Sequence, residues 1–241
     1  ALVQGDLSLG ALGTVTWTDD KGRLLAFGHP FVQRGNASFF MTKTWVLASL
    51  PNLQTAYKVG NLGQAVGTVN QDRAAGVAGT VGKLPKYIPL YVSASDMTRS
   101  LNRGTRVKIV EDEQLAPGLI ASVVASEAAK AADHAVGGSA RILFDSIAVD
   151  SQNNPLHILR ENMYYDTKNI IRQLPQELQE ASQVLLQNKL EKVNITNIDV
   201  TVDLSTDSLV AEIQRASVQE KEPKPGDTIH LDVVMKPYRS A

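Results

Sequence analysis

Cysteine is absent from the 241 residues. That excludes disulfides, a thiol nucleophile and any cysteine-ligated metal, and it says little about compartment. An excess of charge is lacking too: 24 lysines and arginines stand against 25 aspartates and glutamates, a net charge of -1. Nothing electrostatic therefore points to nucleic acid or an acidic membrane as a partner. No apolar run approaches the roughly 20 residues that a spanning helix requires. There is no Walker loop and no GxGxxG, so the glycines do not read as a phosphate cradle. The histidines are His29, His134, His157 and His230. None pairs at the spacing that sets two ligands on one face, and HExxH is missing, so neither a metal nor another cofactor is expected. The first residue is Ala1, which allows the numbering to begin inside a longer precursor, with any signal peptide upstream.

What is present reads as a mainly β chain with two helices, an α+β protein. From Asp6 to about Ser95, glycines alternate with short apolar runs, as in Ala65-Val-Gly-Thr-Val69 and Gly76-Val-Ala-Gly-Thr-Val-Gly82. Such frequent glycine suggests bulges and tight corners, which small curved sheets and barrels need. Pro85 and Pro89 demote at least the start of the Pro85–Val92 strand to a sheet edge. Thr105–Val110 alternates cleanly and predicts a half-buried strand. Pro117 suits a first helical turn, and Leu119, Ile120, Val123, Val124 and Ala128 follow at helical spacing. That helix is expected to run to about Ala132 or Ala135, with Gly137-Gly138 ending it. Ala140–Val149 returns to strand. A second amphipathic helix is marked by Ile170, Leu174, Leu178, Ala181 and Leu185, restarted at Pro175. Asn194–Leu204, Leu209–Ala216 and Thr228–Met235 look like strands. Trp17 and Trp45 read as core anchors. Two units are expected: residues 1–160, mainly β around one helix, and residues 161–241, a smaller helix plus three-stranded unit.

Chemistry points first to Leu24-Leu-Ala-Phe-Gly-His-Pro-Phe31. Thr14–Trp17 and Arg23–Phe27 form a hairpin around Asp19-Asp20-Lys21-Gly22. His29 then sits where an apolar strand ends, between a glycine free to bend and a proline that holds the residue before it extended. A near-neutral imidazole in that position suits acid–base work. A serine hydrolase also needs a nucleophile and oxyanion donors. The nearest match is Ser139 in Gly137-Gly-Ser-Ala140, whose plainer reading is a helix cap leading into a strand. Ser38 reads as a loop residue. Asp72 or Asp96 could orient the imidazole, and Gln71-Asp72-Arg73 lines a groove or simply caps a strand end. Asn36-Ala-Ser38 and Asn194-Ile-Thr196 match the glycosylation sequon, too short a signal to carry weight.

Gly10-Ala-Leu-Gly-Thr-Val-Thr16, the hairpin, Ala26-Phe-Gly-His-Pro30, Gly67-Thr-Val-Asn70 and Gly76-Val-Ala-Gly79 together resemble the SpoIVB peptidase family. Its members are serine peptidases of bacterial sporulation and their relatives in cell-envelope proteins. The resemblance covers roughly Gly5 to Glu113. It implies a trypsin-like β-barrel, His29 as general base and an extracytoplasmic location in the bacterial envelope. Active members carry a later Ser-Gly-Ser-Pro turn that holds the nucleophile, and no such sequence follows His29 here. The stretch after the histidine is also short for a complete second barrel. Pro225-Gly-Asp-Thr228 and Met235-Lys-Pro-Tyr238 look like the end region of longer envelope relatives that keep the histidine motif without the serine turn. Two readings follow: a catalytically impaired descendant acting as a structural or protein-binding module, and an active serine endopeptidase using His29 and Ser139. The expected partner is a protein or peptide, including neighbouring domains of a longer polypeptide, and not a nucleic acid.

Overall fold

The structure is a computed structural model that describes residues 1–52, 57–135 and 137–238. Its first strands are β1 (Val3–Gly5), β2 (Val15–Thr18), β3 (Arg23–Ala26), β4 (Gly35–Leu50) and β5 (Tyr57–Arg73). Then come β6 (Gly76–Val81), β7 (Tyr87–Asp96) and β8 (Leu101–Val110), followed by helix α1 (Ala116–Ala132). Strands β9 (Gly138–Val149) and β10 (Pro155–Asp166) lead through a 3-10 turn at Ile170–Gln173 into helix α2 (Leu174–Leu186). The chain ends in β11 (Asn194–Ser205), β12 (Ala211–Val218) and β13 (Leu231–Pro237).

These strands form three sheets: β1-β8-β7-β11-β9-β10, β2-β3-β6-β5-β4 and the lone pair β12-β13. The α+β class therefore holds. Among the described residues no sheet closes on itself.

The six-stranded sheet carries the core. Its strands alternate between buried and half-exposed positions, and the inward set includes Ile88, Leu90 and Val92 of β7, Ile142 and Phe144 of β9, and Ile198, Val200 and Val202 of β11. Helix α1 lies on that side, with Leu119, Ile120, Val123, Val124 and Ala128 buried at helical spacing. Leu174 and Leu178 of α2 and Phe39 and Phe40 of β4 join the same cluster. Burial at roughly 25 cal/mol per Å² of apolar surface makes this cluster the dominant stabilising feature.

Several sequence expectations need correcting. Strand β11 lies between β7, which it meets in parallel, and β9, which it meets antiparallel. Residues on both sides of the expected 160/161 boundary are thus neighbouring strands of one sheet sharing one core. Strand β10, which pairs with β9 along its whole length, had no counterpart in the sequence reading. Its polar run Arg160-Glu161-Asn162 hides the alternation, which an edge strand tolerates. The first three residues of β7 pair with β8 only, so Pro89 sits where the strand still has a free side. From Leu90 onward β7 is central. Helix α1 ends at Asp133, in a left-handed conformation with φ 67°, rather than at the glycine pair. Gly137 and Gly138 are small for another reason. A Cβ would lie 2.3 Å from the Thr167 carbonyl oxygen at Gly137, and 2.1 Å from the Ser205 carbonyl oxygen at Gly138. Both tryptophans are surface residues, Trp17 47% and Trp45 75% exposed.

Candidate functional site

Gly13, Gly28 and Gly76 of the motifs meet at the turn that carries His29. At the end of β3 the chain passes through Phe27 (φ 76°) and Gly28 (φ 75°), two successive left-handed residues. Positive φ is rare for a phenylalanine, and surrounding contacts must hold it. Three do so. The Phe27 N–H donates to the Thr14 carbonyl at 3.0 Å. Gly13 makes room for the ring, since a Cβ there would fall 1.8 Å from Phe27 Cδ1. Gly76 lets β6 pass under the turn, a Cβ at that position lying 2.8 Å from the Ala26 carbonyl oxygen. Phe27 then meets Phe31 edge-on, and Phe31 meets buried Phe39 in the same way, both at 6.2 Å between centroids. A row of aromatic rings thus runs from the rim to the core.

Asp72 holds the far side of the loop. It is fully buried near the end of β5. Its carboxylate accepts the backbone N–H groups of Phe31 at 2.7 Å, Val32 at 2.8 Å and Arg34 at 3.3 Å. A buried charge is tolerated when hydrogen bonds of this kind satisfy it. The Arg34 Nε continues outward to Asp112 at 2.8 Å. Asp112 in turn accepts the N–H groups of Gln114 and Leu115 at 3.0 and 3.1 Å, just before α1. The histidine turn is therefore tied to both sheets. Asp72 serves the backbone of the loop and makes no bond to the imidazole.

His29 is exposed, its ring 5.5 Å from that of Phe27. Its Nδ1 lies 2.7 Å from the Pro30 carbonyl oxygen. A carbonyl can only accept, so Nδ1 is a donor, which in a neutral imidazole places the lone pair on Nε2. That is the tautomer a general base needs, with a backbone carbonyl where a triad would place a carboxylate. Among the described residues Nε2 meets no hydroxyl.

The other candidates lie elsewhere. Ser139 is buried near the start of β9, in the six-stranded sheet, whereas the histidine turn belongs to the five-stranded one. Its Oγ donates to the Asp207 carbonyl at 2.9 Å and accepts the Leu209 N–H at 2.8 Å. The hydroxyl is thereby consumed in fastening the chain after β11 back to β9. Ser38 is exposed at an irregularity of the β4–β5 ladder. Asp96 caps the β7–β8 turn, accepting N–H groups from Thr98 and Arg99 and the Arg99 Nε at 2.7 Å. Burial raises its pKa, but the Arg99 and Thr98 bonds outweigh that and hold the carboxyl below its ordinary range. The structure gathers His29 and Asp72 at one turn and leaves Ser139 and Asp96 outside it. Asp112 and Arg34 escaped the sequence reading because their partners are distant in the chain.

Comparisons with family models, with curated proteins and with solved structures each find no match. No cluster of histidine and carboxylate residues suited to a metal exists among the described residues.

Proposed function

We propose that this chain is a SpoIVB-peptidase-like domain of a bacterial cell-envelope protein, catalytically impaired and working as a structural or protein-binding module. On this reading the open five-stranded sheet is what remains of a trypsin-like barrel, with the Gly-His-Pro turn kept as an inherited scaffold. The single observation that supports it is the employment of Ser139. Its oxygen both donates to and accepts from backbone groups, and an acyl-transfer nucleophile needs its proton facing a base. The convergence of Gly13, Gly28, Gly76 and Asp72 on one turn accounts for those glycines of the family-like motifs by backbone packing, without calling on an activity.

A fluorophosphonate probe tests the reading. The folded protein is expected to remain unlabelled, and Ser139→Ala to lower stability by about 2 kcal/mol through the stranded Leu209 N–H. Labelling that disappears in His29→Ala would instead establish the endopeptidase, with a serine other than the one the sequence suggested or with Ser139 rearranged.

A further inference from the structure

A sizeable groove lies away from the histidine turn. It is an open groove of about 980 Å³ between the helix-free face of the six-stranded sheet and residues 62–65 of β5. That volume lies at the upper end of the roughly 300–1,000 Å³ typical of ligand sites. Its floor holds two cations at alternate positions of β8, Arg106 and Lys108, which therefore share a face about 7 Å apart. Each is held over a tyrosine of β7. The Arg106 guanidinium carbon lies 4.6 Å from the Tyr91 centroid, and the Lys108 Nζ lies 4.8 Å from that of Tyr87. Among the described residues neither cation has a carboxylate in ion-pair range. Both are thus pre-positioned by the rings and without an ion-pair partner, which lowers the ordering cost of binding an anion.

Across β7, the same sheet face has the other sign. Asp199 of β11 lines the groove and stands directly across from Asp145 of β9 in the ladder. A ligand charged along its whole length would meet repulsion there, which disfavours nucleic acid. An extended peptide avoids the conflict. Its alternate side chains project to one face at about 6.6 Å spacing, matching the two cations, while its backbone is neutral.

We propose that this groove binds an extended peptide segment presenting acidic side chains at alternate positions to Arg106 and Lys108. The proposal rests on reading the chain as a protein-binding module and supplies the class of partner. Fluorescence anisotropy with a labelled Gly-Glu-Ser-Glu-Ser-Glu-Gly peptide tests it, alongside the isomer Gly-Glu-Glu-Ser-Ser-Glu-Gly, which has no two acidic side chains at alternate positions. Saturable binding of the first is expected, weakened at least tenfold by Arg106→Gln with Lys108→Gln and several-fold by Tyr91→Ala. Asp199→Asn is expected to leave it unchanged or tighten it. Both cations are exposed, so a circular dichroism melt matching the wild type confirms that the double variant is folded. Equal binding of the two isomers, binding indifferent to the double variant, or stronger binding of a single-stranded oligonucleotide would each overturn the groove assignment. None of these touches the fluorophosphonate result, so the two proposals fail separately.

Discussion

The two large sheets are written in the same alphabet and behave differently. In the six-stranded sheet the β7, β9 and β11 strands bury nearly every second side chain, because α1 covers one face. In the five-stranded sheet, β6 pairs with β5 only over Gly67–Arg73, and the β4–β5 hairpin runs on beyond it with repeated irregularities in register. Trp45, Leu47 and Tyr57 are each more than half exposed on that extension. The β12–β13 pair repeats the situation, with every residue of both strands exposed. Apolar alternation thus promises burial only where a second layer exists to receive it. The covered sheet supplies stability, and the glycine-rich sheet supplies a shaped turn.

The contrast can be broken most severely by ending the chain after Arg160. That removes β11 from the middle of the covered sheet, leaving the inner edges of β7 and β9 unpaired and the core without Ile198, Val200 and Val202. The shortened protein is expected to aggregate and to show no cooperative melt; a monomeric, cooperatively unfolding product in size-exclusion and circular dichroism measurements would reinstate two separable units. Asp72→Ala comes next. It strands three backbone N–H groups beneath the histidine turn, and a loss of about 3 kcal/mol in urea denaturation is expected. Amide exchange at Phe31 and Val32 is expected to rise well above that of the six-stranded sheet.

A smaller effect is expected from acid. The buried Glu127 carboxylate accepts the Thr105 hydroxyl at 2.7 Å and the Lys130 ammonium at 2.6 Å. Burial raises its pKa, but those bonds prevail and the native value lies below the ordinary 4.5. Its contribution is therefore complete above about pH 4.5 and fades as pH falls through the lower native value. Between pH 5 and 3, as an approximate window, the wild-type urea midpoint is expected to drop more than that of Glu127→Gln. A parallel drop would remove Glu127 from the account. Smallest of all is Trp45→Ser on the exposed hairpin, expected to shift stability by less than about 0.5 kcal/mol. A loss of several kcal/mol on thermal melting would mean that the tryptophan is covered in solution.

Much of the fold was legible where local chemistry and tertiary burial agree. Pro117 and the apolar spacing behind it announced α1, Pro175 announced the restart at α2, and the alternation of Thr105–Val110 announced β8. The readings failed where partners are remote. The tryptophans promised burial by their size alone, and nothing in Thr44–Leu47 says that no layer covers it. Ser139 carried a nucleophile-like setting of glycines, yet those glycines answer to the carbonyls of Thr167 and Ser205, which only the assembled sheet brings near.

By itself the sequence determined that the chain is mainly β with two helices, where α1, α2 and β8 fall, that thiol chemistry is excluded, and that His29 ends a strand between a glycine and a proline. These follow from side-chain period and backbone restriction, which act over a few residues. Only the tertiary structure decided that β11 enters between β7 and β9, that Asp72 serves the loop backbone rather than the imidazole, and that Ser139 spends its hydroxyl on Asp207 and Leu209. Those outcomes depend on hydrogen bonds across as many as 108 residues of chain. Such bonds are chosen by which buried groups still lack a partner once the layers have packed.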